Sequence, residues 1–400
     1  MSGPGPTPAP VRDVPPPAGP PVHRFRREPF RLFFPLGVAL GWLGVGHWLL
    51  YATGVTTTYS CQAHGLVQVQ GFLMAFATGF LLTALPRRTA SPPPSAAEVG
   101  LAAVALTATS VAAIVERWRI AEAAYGAVFA LLLRFALRRF LGRGAGRRPP
   151  AAFVLVPLAA LAGVAGGALL AGGTLPGVPA GAMTLGRLLV EQGVFLCLAV
   201  GVGSLVLPLM AGAPPPADLG SAPGETRRAV GYAAVGAVVL ASLALEHAGW
   251  GRTAPLVRAA AVAAGLALGG GALGEPRRPG LHRRLARLAA WLMPAGLTVS
   301  AAWPDYRVPA LHVLFIGGFG LLAFAVATHV SFGHLGLEAV GAGSPTPVIA
   351  LAAGLGLALA ARFVADWSDS YFAHLGWAAA CWIGGSAAWL AYFGPRLLRR

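Results

Sequence analysis

Apolar runs of about 17–25 residues alternate along this chain with short segments rich in proline, glycine and arginine. Read as membrane-crossing helices, the runs fall near residues 31–52, 64–85, 99–116, 120–141, 151–173, 184–211, 229–247, 254–274, 285–303, 309–332, 346–365 and 372–394. The pattern predicts an all-α polytopic membrane protein, a bundle of about twelve transmembrane helices. The runs at 99–116, 120–141 and 254–274 are the least regular, because small residues dominate them or arginines intrude.

Polar positions within the runs are few and unevenly placed. Five of the nine histidines (His47, His64, His247, His312 and His374) fall at the same ends of five different helices. Ionisable side chains are costly in hydrocarbon and face a bundle interior, so the one-sided convergence points to a cofactor pocket. The second helix opens Cys61-Gln-Ala-His64-Gly-Leu-Val-Gln68-Val-Gln-Gly71, and this spacing puts Cys61, His64, Gln68 and Gly71 on one helical face. His47 lies roughly a turn and a half inside the first helix, beside Trp42 and Trp48, where an imidazole must be hydrogen-bonded, uncharged or liganded. His312 follows Pro309, which starts its helix cleanly. Arg187 and Glu191, four apart near the same end of the sixth helix, add a carboxylate that is either a structural ion pair or a partner for the imidazoles. Together they have the composition of a metal site or a proton-handling pocket, the alternative being polar helix ends at the water interface. Few carboxylates other than Glu191 are expected inside the membrane.

The remaining histidines read differently. His329 and His334 end the tenth helix, and the rise from His312 to His329 is about 25 Å, so neither shares a metal with His312. His23 and His282 lie among arginines and are expected to be solvated.

With 56% hydrophobic and 11% charged residues and a mean hydropathy of +0.67, the composition excludes a soluble globular domain. The net charge of +16 would suggest a nucleic-acid partner in a soluble chain. Here it reads as topology instead, because most of the arginines sit in short loops, and no nucleic acid is expected. Basic residues crowd the N-terminus, the loops with Arg87/Arg88, Arg138 to Arg148, Arg227/Arg228 and Arg277 to Arg287, and the C-terminus, whereas the opposite side holds Arg117, Arg119, Arg252, Arg258, Arg307 and Arg362. Both termini are therefore predicted to be cytoplasmic, and the five histidines extracytoplasmic. Cys61, Cys197 and Cys381 form no C-x-x-C or C-x-x-C-H motif, which argues against covalently attached haem. Residues 1–28 read as a disordered Pro/Gly/Arg-rich cytoplasmic tail and 29–400 as one transmembrane domain, with no cleavable signal peptide and no phosphate-binding loop. Gly37-x-x-x-Gly41, Gly44, Gly46 and Gly317-Gly318-x-Gly320 suit close helix approach in lipid.

The run His64-Gly-Leu-Val-Gln68-Val-Gln-Gly71-Phe72, continuing through Gly79 to Pro86-Arg87, resembles the NnrS family of haem- and copper-containing membrane proteins. Glu191-Gln-Gly193, Gly201-Val-Gly203, Pro208, His312, Gly317-Gly-Phe, Thr328-His-Val, Ser331 and His334 match its later blocks in the same order, so the resemblance covers most of the chain. There are departures. Where the family pattern runs Trp-His-x-His-Glu, this chain has Cys61, Gln62, His64 and Gly65, and His329 replaces an Arg. The resemblance implies twelve helices, haem b, copper, and a role in the response to nitric oxide, denitrification and nitrosative stress in a bacterial cytoplasmic membrane. His47, His64, Gln68, Glu191 and His312 are the candidate cofactor-binding residues; His47, His64, His312 and His334 are the candidate metal ligands. Two other functions fit the same spans. One is a respiratory-type oxidoreductase, which needs histidines close together on facing helices and a proton path. The other is a haem-free secondary transporter, which would show internal repeats; none is evident between 30–210 and 220–395.

Overall fold

The computed structural model of the chain describes residues 21–141, 148–173, 175–179, 181–270 and 274–399. Most of the expected tail, residues 1–20, lies outside the described residues; Pro21–Arg27 form a short helix. Long helices follow in the predicted order: α1 (Phe30–Ala52), α2 (Cys61–Thr89), α3 (Ala96–Ile114), α4 (Trp118–Phe140), α5 (Ala151–Gly172), α6 (Ala182–Ala211), α7 (Glu225–His247), α8 (Thr253–Leu268), α9 (Leu281–Ala302), α10 (Pro304–Leu335), α11 (Thr346–Ala365) and α12 (Tyr371–Arg399). Ten of them are long and apolar enough to cross a membrane, α8 is a shorter apolar helix, and α12 continues into Arg396 and Arg399. No β-strand occurs among the described residues.

Helix starts follow local chemistry. Ser60 accepts a hydrogen bond from the Ala63 amide to begin α2. Ser95 and Glu98 form a reciprocal capping box at α3, with bonds of 3.1 and 2.7 Å. At the other end of α6, Gly212 stops the helix with φ +86°, a conformation that glycine adopts without strain.

Three helices form the centre. Over their most apolar windows α2, α6 and α10 are 78, 83 and 67% buried, whereas the other spans reach at most 50%, so these three are wrapped by protein and the rest face lipid. They meet one another through Phe195 and Phe319 (ring centres 5.9 Å) and through Phe72 and Phe324 (5.5 Å). Each also contains a π-helical stretch, Val67–Leu73, Leu189–Gly193 and Val313–Gly320, in which an extra residue widens the turn. The π stretches recur at the second helix of each successive group of four. A two-fold repeat is therefore the wrong period to seek: the chain is organised as three four-helix units, each contributing one core helix.

Consecutive helices pack on one another, and α12 packs on α1 as well as α11, which closes the bundle. Gly354 and Gly385 let α11 and α12 touch backbone to backbone; a Cβ at Gly354 would stand 2.7 Å from both the Cys381 carbonyl oxygen and the Gly385 Cα. At the arginine-rich end, Arg31 donates to Glu28 (2.5 Å) and to the Leu397 carbonyl (3.2 Å), while His334 Nδ1 donates to Glu28 (2.5 Å) and Arg87 adds a further bond at 3.1 Å. Burial opposes ionisation of Glu28, but the His334 and Arg31 bonds outweigh it and hold the carboxyl down to about 2.

Candidate functional site: an imidazole pocket at the opposite end

The pocket is built where α1, α2 and α10 meet. Gly41 and Gly44 carry no side chains and let α2 lie close against α1. The Gly44 carbonyl accepts from His64 Nδ1 at 2.8 Å and the Gly41 carbonyl accepts from the Gln68 amide at 2.8 Å. Both side chains of this stripe therefore face α1. Beyond Gln68 the stripe does not continue: Cys61 is exposed, and Gly71, within the π stretch, faces Ser110 of α3. The extra residue in the widened turn rotates Gly71 away from the line that regular α-helical spacing predicts.

On α10, His312 Nδ1 donates to the Val308 carbonyl at 2.8 Å. The His64 and His312 rings lie 6.5 Å apart with planes 13° from parallel. A carbonyl can only accept, so each Nδ1 carries its proton, and in the uncharged ring the lone pair is on Nε2. No hydrogen bond engages Nε2 of either ring among the described residues. His47 completes a row: its ring is 5.9 Å from His64 and 4.7 Å from Trp48, and both its nitrogens are buried without a hydrogen-bond partner. Among the described residues no three His, Cys, Asp or Glu groups close round a metal-ion position.

Glu191 enters from α6. Arg187 donates to it at 3.1 Å, and a Cβ at Gly65 would stand 2.8 Å from its Oε1, so the missing side chain of Gly65 leaves the room that this carboxylate fills beside His64. The other two histidines of the predicted five take no part. The His247 ring sits against Gly181, and His374 Nδ1 donates to Ser370 in its own helix at 3.1 Å.

His334 lies at the other end of α10, with Nδ1 on Glu28 and Nε2 2.8 Å from Arg87. His282 is not solvated: it is buried in the first turn of α9, with its Nε2 3.3 Å from His329 Nδ1, because Phe332 and the α10 end cover it. The side chain of His23 lies outside the described residues.

Charged groups missed from the sequence frame the pocket. Arg258 and Arg307 both pair with Glu246, tying α7, α8 and α10 together. Arg362 pairs with Asp366 at 2.7 Å, reaches the Tyr371 hydroxyl at 3.4 Å, and is close enough to act electrostatically on His64 and His312. These arginines were read as loop topology signals. Their spacing to Glu246 crosses helices, so only Arg362-x-x-x-Asp366 carried a local clue.

Towards the membrane interior, α2, α6 and α10 enclose an apolar cavity of about 100 Å³ lined by Leu73, Phe76, Phe80, Phe195, Phe319 and Leu322, among others. The sequence model of the family described as NnrS protein matches residues 24–400. No curated protein matches the chain.

Proposed function

Since this chain belongs to the NnrS family, we propose that it binds haem b in the imidazole pocket and takes up nitric oxide there, in the bacterial response to nitric oxide and nitrosative stress. The observation that carries the reading is the pair His64 and His312. Two imidazoles from facing helices, each oriented by an Nδ1 bond to a main-chain carbonyl, present Nε2 unengaged. Iron of a haem is commonly held by one or two such nitrogens, which does not require the three-ligand cage of a bare metal ion.

The other residues fit the same group. His47 is an orphaned imidazole at van der Waals range of the pair, and an unmet buried nitrogen calls for a ligand, a proton donor or a water. Arg362 offers a cation at the pocket for the carboxylate side chains of a haem. Gly65 stands where the family pattern has a Glu, and Glu191 supplies a carboxylate to that place from another helix. Gln68 acts through the backbone, pinning α2 to α1. When bound, a haem supplies an iron that takes a diatomic gas, and the apolar cavity among the three core helices suits an uncharged gas arriving through lipid. Copper, which the family also implies, would rest on His47, with Gln62 in place of the family's His leaving that site one imidazole short. His334, engaged by Glu28 and Arg87, serves the clamp at the arginine-rich end. That end is the cytoplasmic one, with both termini inside.

The test is a reduced-minus-oxidised absorption spectrum of the purified protein with and without nitric oxide, beside iron and copper analysis. A b-type spectrum that shifts with nitric oxide is expected, with haem content lowered severalfold in His64→Ala and His312→Ala and retained in His374→Ala. Full haem occupancy in the first two variants would reject the pocket. Neither haem nor stoichiometric metal would reject the reading and favour a transporter. The juxtaposition of three imidazoles from facing helices also favours a second reading, an electron-transferring oxidoreductase. Haem count separates them: one haem favours gas binding, and two in electronic contact favour electron transfer.

A further inference from the structure

A second polar cluster lies inside the bundle, apart from the imidazoles. Glu122 of α4 is 5% exposed and Gln70 of α2 and Tyr125 of α4 are fully buried. The Gln70 amide donates to Glu122 Oε2 at 2.8 Å. The other carboxylate oxygen, Glu122 Oε1, has no partner, nor do Gln70 Oε1 and the Tyr125 hydroxyl. Gly167 of α5 leaves the space in which the carboxylate sits, since a Cβ there would lie 2.9 Å from Oε2.

No positive charge answers this carboxylate. Arg119, one turn away on the same helix, is exposed and makes no ion pair with it, and no guanidinium or imidazole pairs with it from α2 or α5 among the described residues. Tyr125 is the titratable group within its reach. Every other membrane-buried carboxylate described above, Glu191, Glu246 and Glu225 included, has an arginine. An ionised carboxylate buried without a counter-charge is among the costliest groups a protein can hold, and it is relieved by taking a proton.

We propose that Glu122 is a proton-binding site within the membrane, a neutral carboxylic acid at neutral pH that exchanges its proton with water at the imidazole end of the bundle. The bond that forms and breaks is Oε1–H: the proton enters from water, cancels the carboxylate charge, and leaves by the same balance. Gln70 holds Oε2, so the proton resides on Oε1, where it supplies the cluster with the donor it lacks. Glu122 is four residues from the start of α4, about 6 Å along the helix, which keeps it within a short step of that aqueous face. Gln70 belongs to the π stretch that follows His64 on α2, so a change of charge at Glu122 acts on the helix that carries an imidazole of the pocket. The site itself does not depend on a cofactor being bound there.

Infrared spectroscopy of the full chain in lipid at pH 7 tests this, since a protonated carboxyl has a carbonyl stretch distinct from that of a carboxylate. The expected result is a protonated-carboxyl band that shifts in heavy water, is lost in Glu122→Gln, persists in Glu191→Gln, and moves in frequency without loss in Tyr125→Phe. Should Glu122→Gln fail to fold, the Tyr125→Phe shift in otherwise native protein decides. A band unaffected by these substitutions at positions 122 and 125, or only carboxylate absorption from Glu122, would overturn the proposal. So would loss of the band when sodium chloride replaces choline chloride at fixed pH, which would assign a metal cation instead.

Discussion

His64 shows how much one residue's role depends on its neighbours in space. Its position on a polar stripe was legible from spacing, and so was that of Gln68. The carbonyls that orient them belong to Gly41 and Gly44 on another helix, which no local pattern reveals. Substituting Gly44→Ala places a Cβ against the Gln68 amide, and we expect that bond to be lost at a cost of about 1 kcal/mol in thermal stability. Glu28 gives a second test at this scale. Its carboxyl is depressed from 4.5 to about 2, so its stabilising contribution is complete above pH 4.5 and is lost as the pH falls from there towards 2. Melting curves at pH 6 and pH 3 should therefore converge for wild type and Glu28→Gln at the lower pH, with a gap on the order of 1–3 kcal/mol at the higher. Glu122 was read as a helix-end residue because Trp118 and Arg119 precede it. Its burial follows from the face it shares with Tyr125, Phe129, Leu132 and Phe135, which tertiary packing selects.

Among elements, periodicity placed the twelve helices to within a few residues, because a span must bury about 20 apolar residues whatever its partners. It did not show the π stretches, since one additional residue in a turn leaves composition unchanged. Deleting one residue from Val67–Leu73 should convert the stretch to regular helix and rotate everything beyond it by about 100° relative to His64. Such a variant is expected to lose the packing of Phe72 on Phe324 and to fold poorly, read as the yield of monodisperse protein. The α11–α12 contact is equally sensitive. Gly354→Leu must force two backbones apart, and we expect a loss of at least 1–3 kcal/mol together with displacement of Arg362 two turns onward. A Tm unchanged by Gly354→Leu would show that this crossing is looser than its geometry implies.

For the whole molecule, the arginine bias gives opposite sides to alternate loops, and single cysteines placed at Ser91 and at Thr56 in a cysteine-free background should react with an impermeant reagent from opposite sides of a sealed vesicle, Thr56 from outside the cell. Labelling of both from one side would overturn the topology. The repeat escaped a search for two-fold similarity because it has three units and is carried by helix geometry, whereas the polar residues at equivalent places differ: His64, Glu191 and His312. That design has a consequence for how the chain can be assembled. Within each unit the helices are sequence neighbours, and the units join through α2, α6 and α10, so the order of synthesis is not essential to the final packing. Thirds of the polypeptide made as separate fragments should find one another in the bilayer, with each core helix acting as the address by which its fragment is recognised.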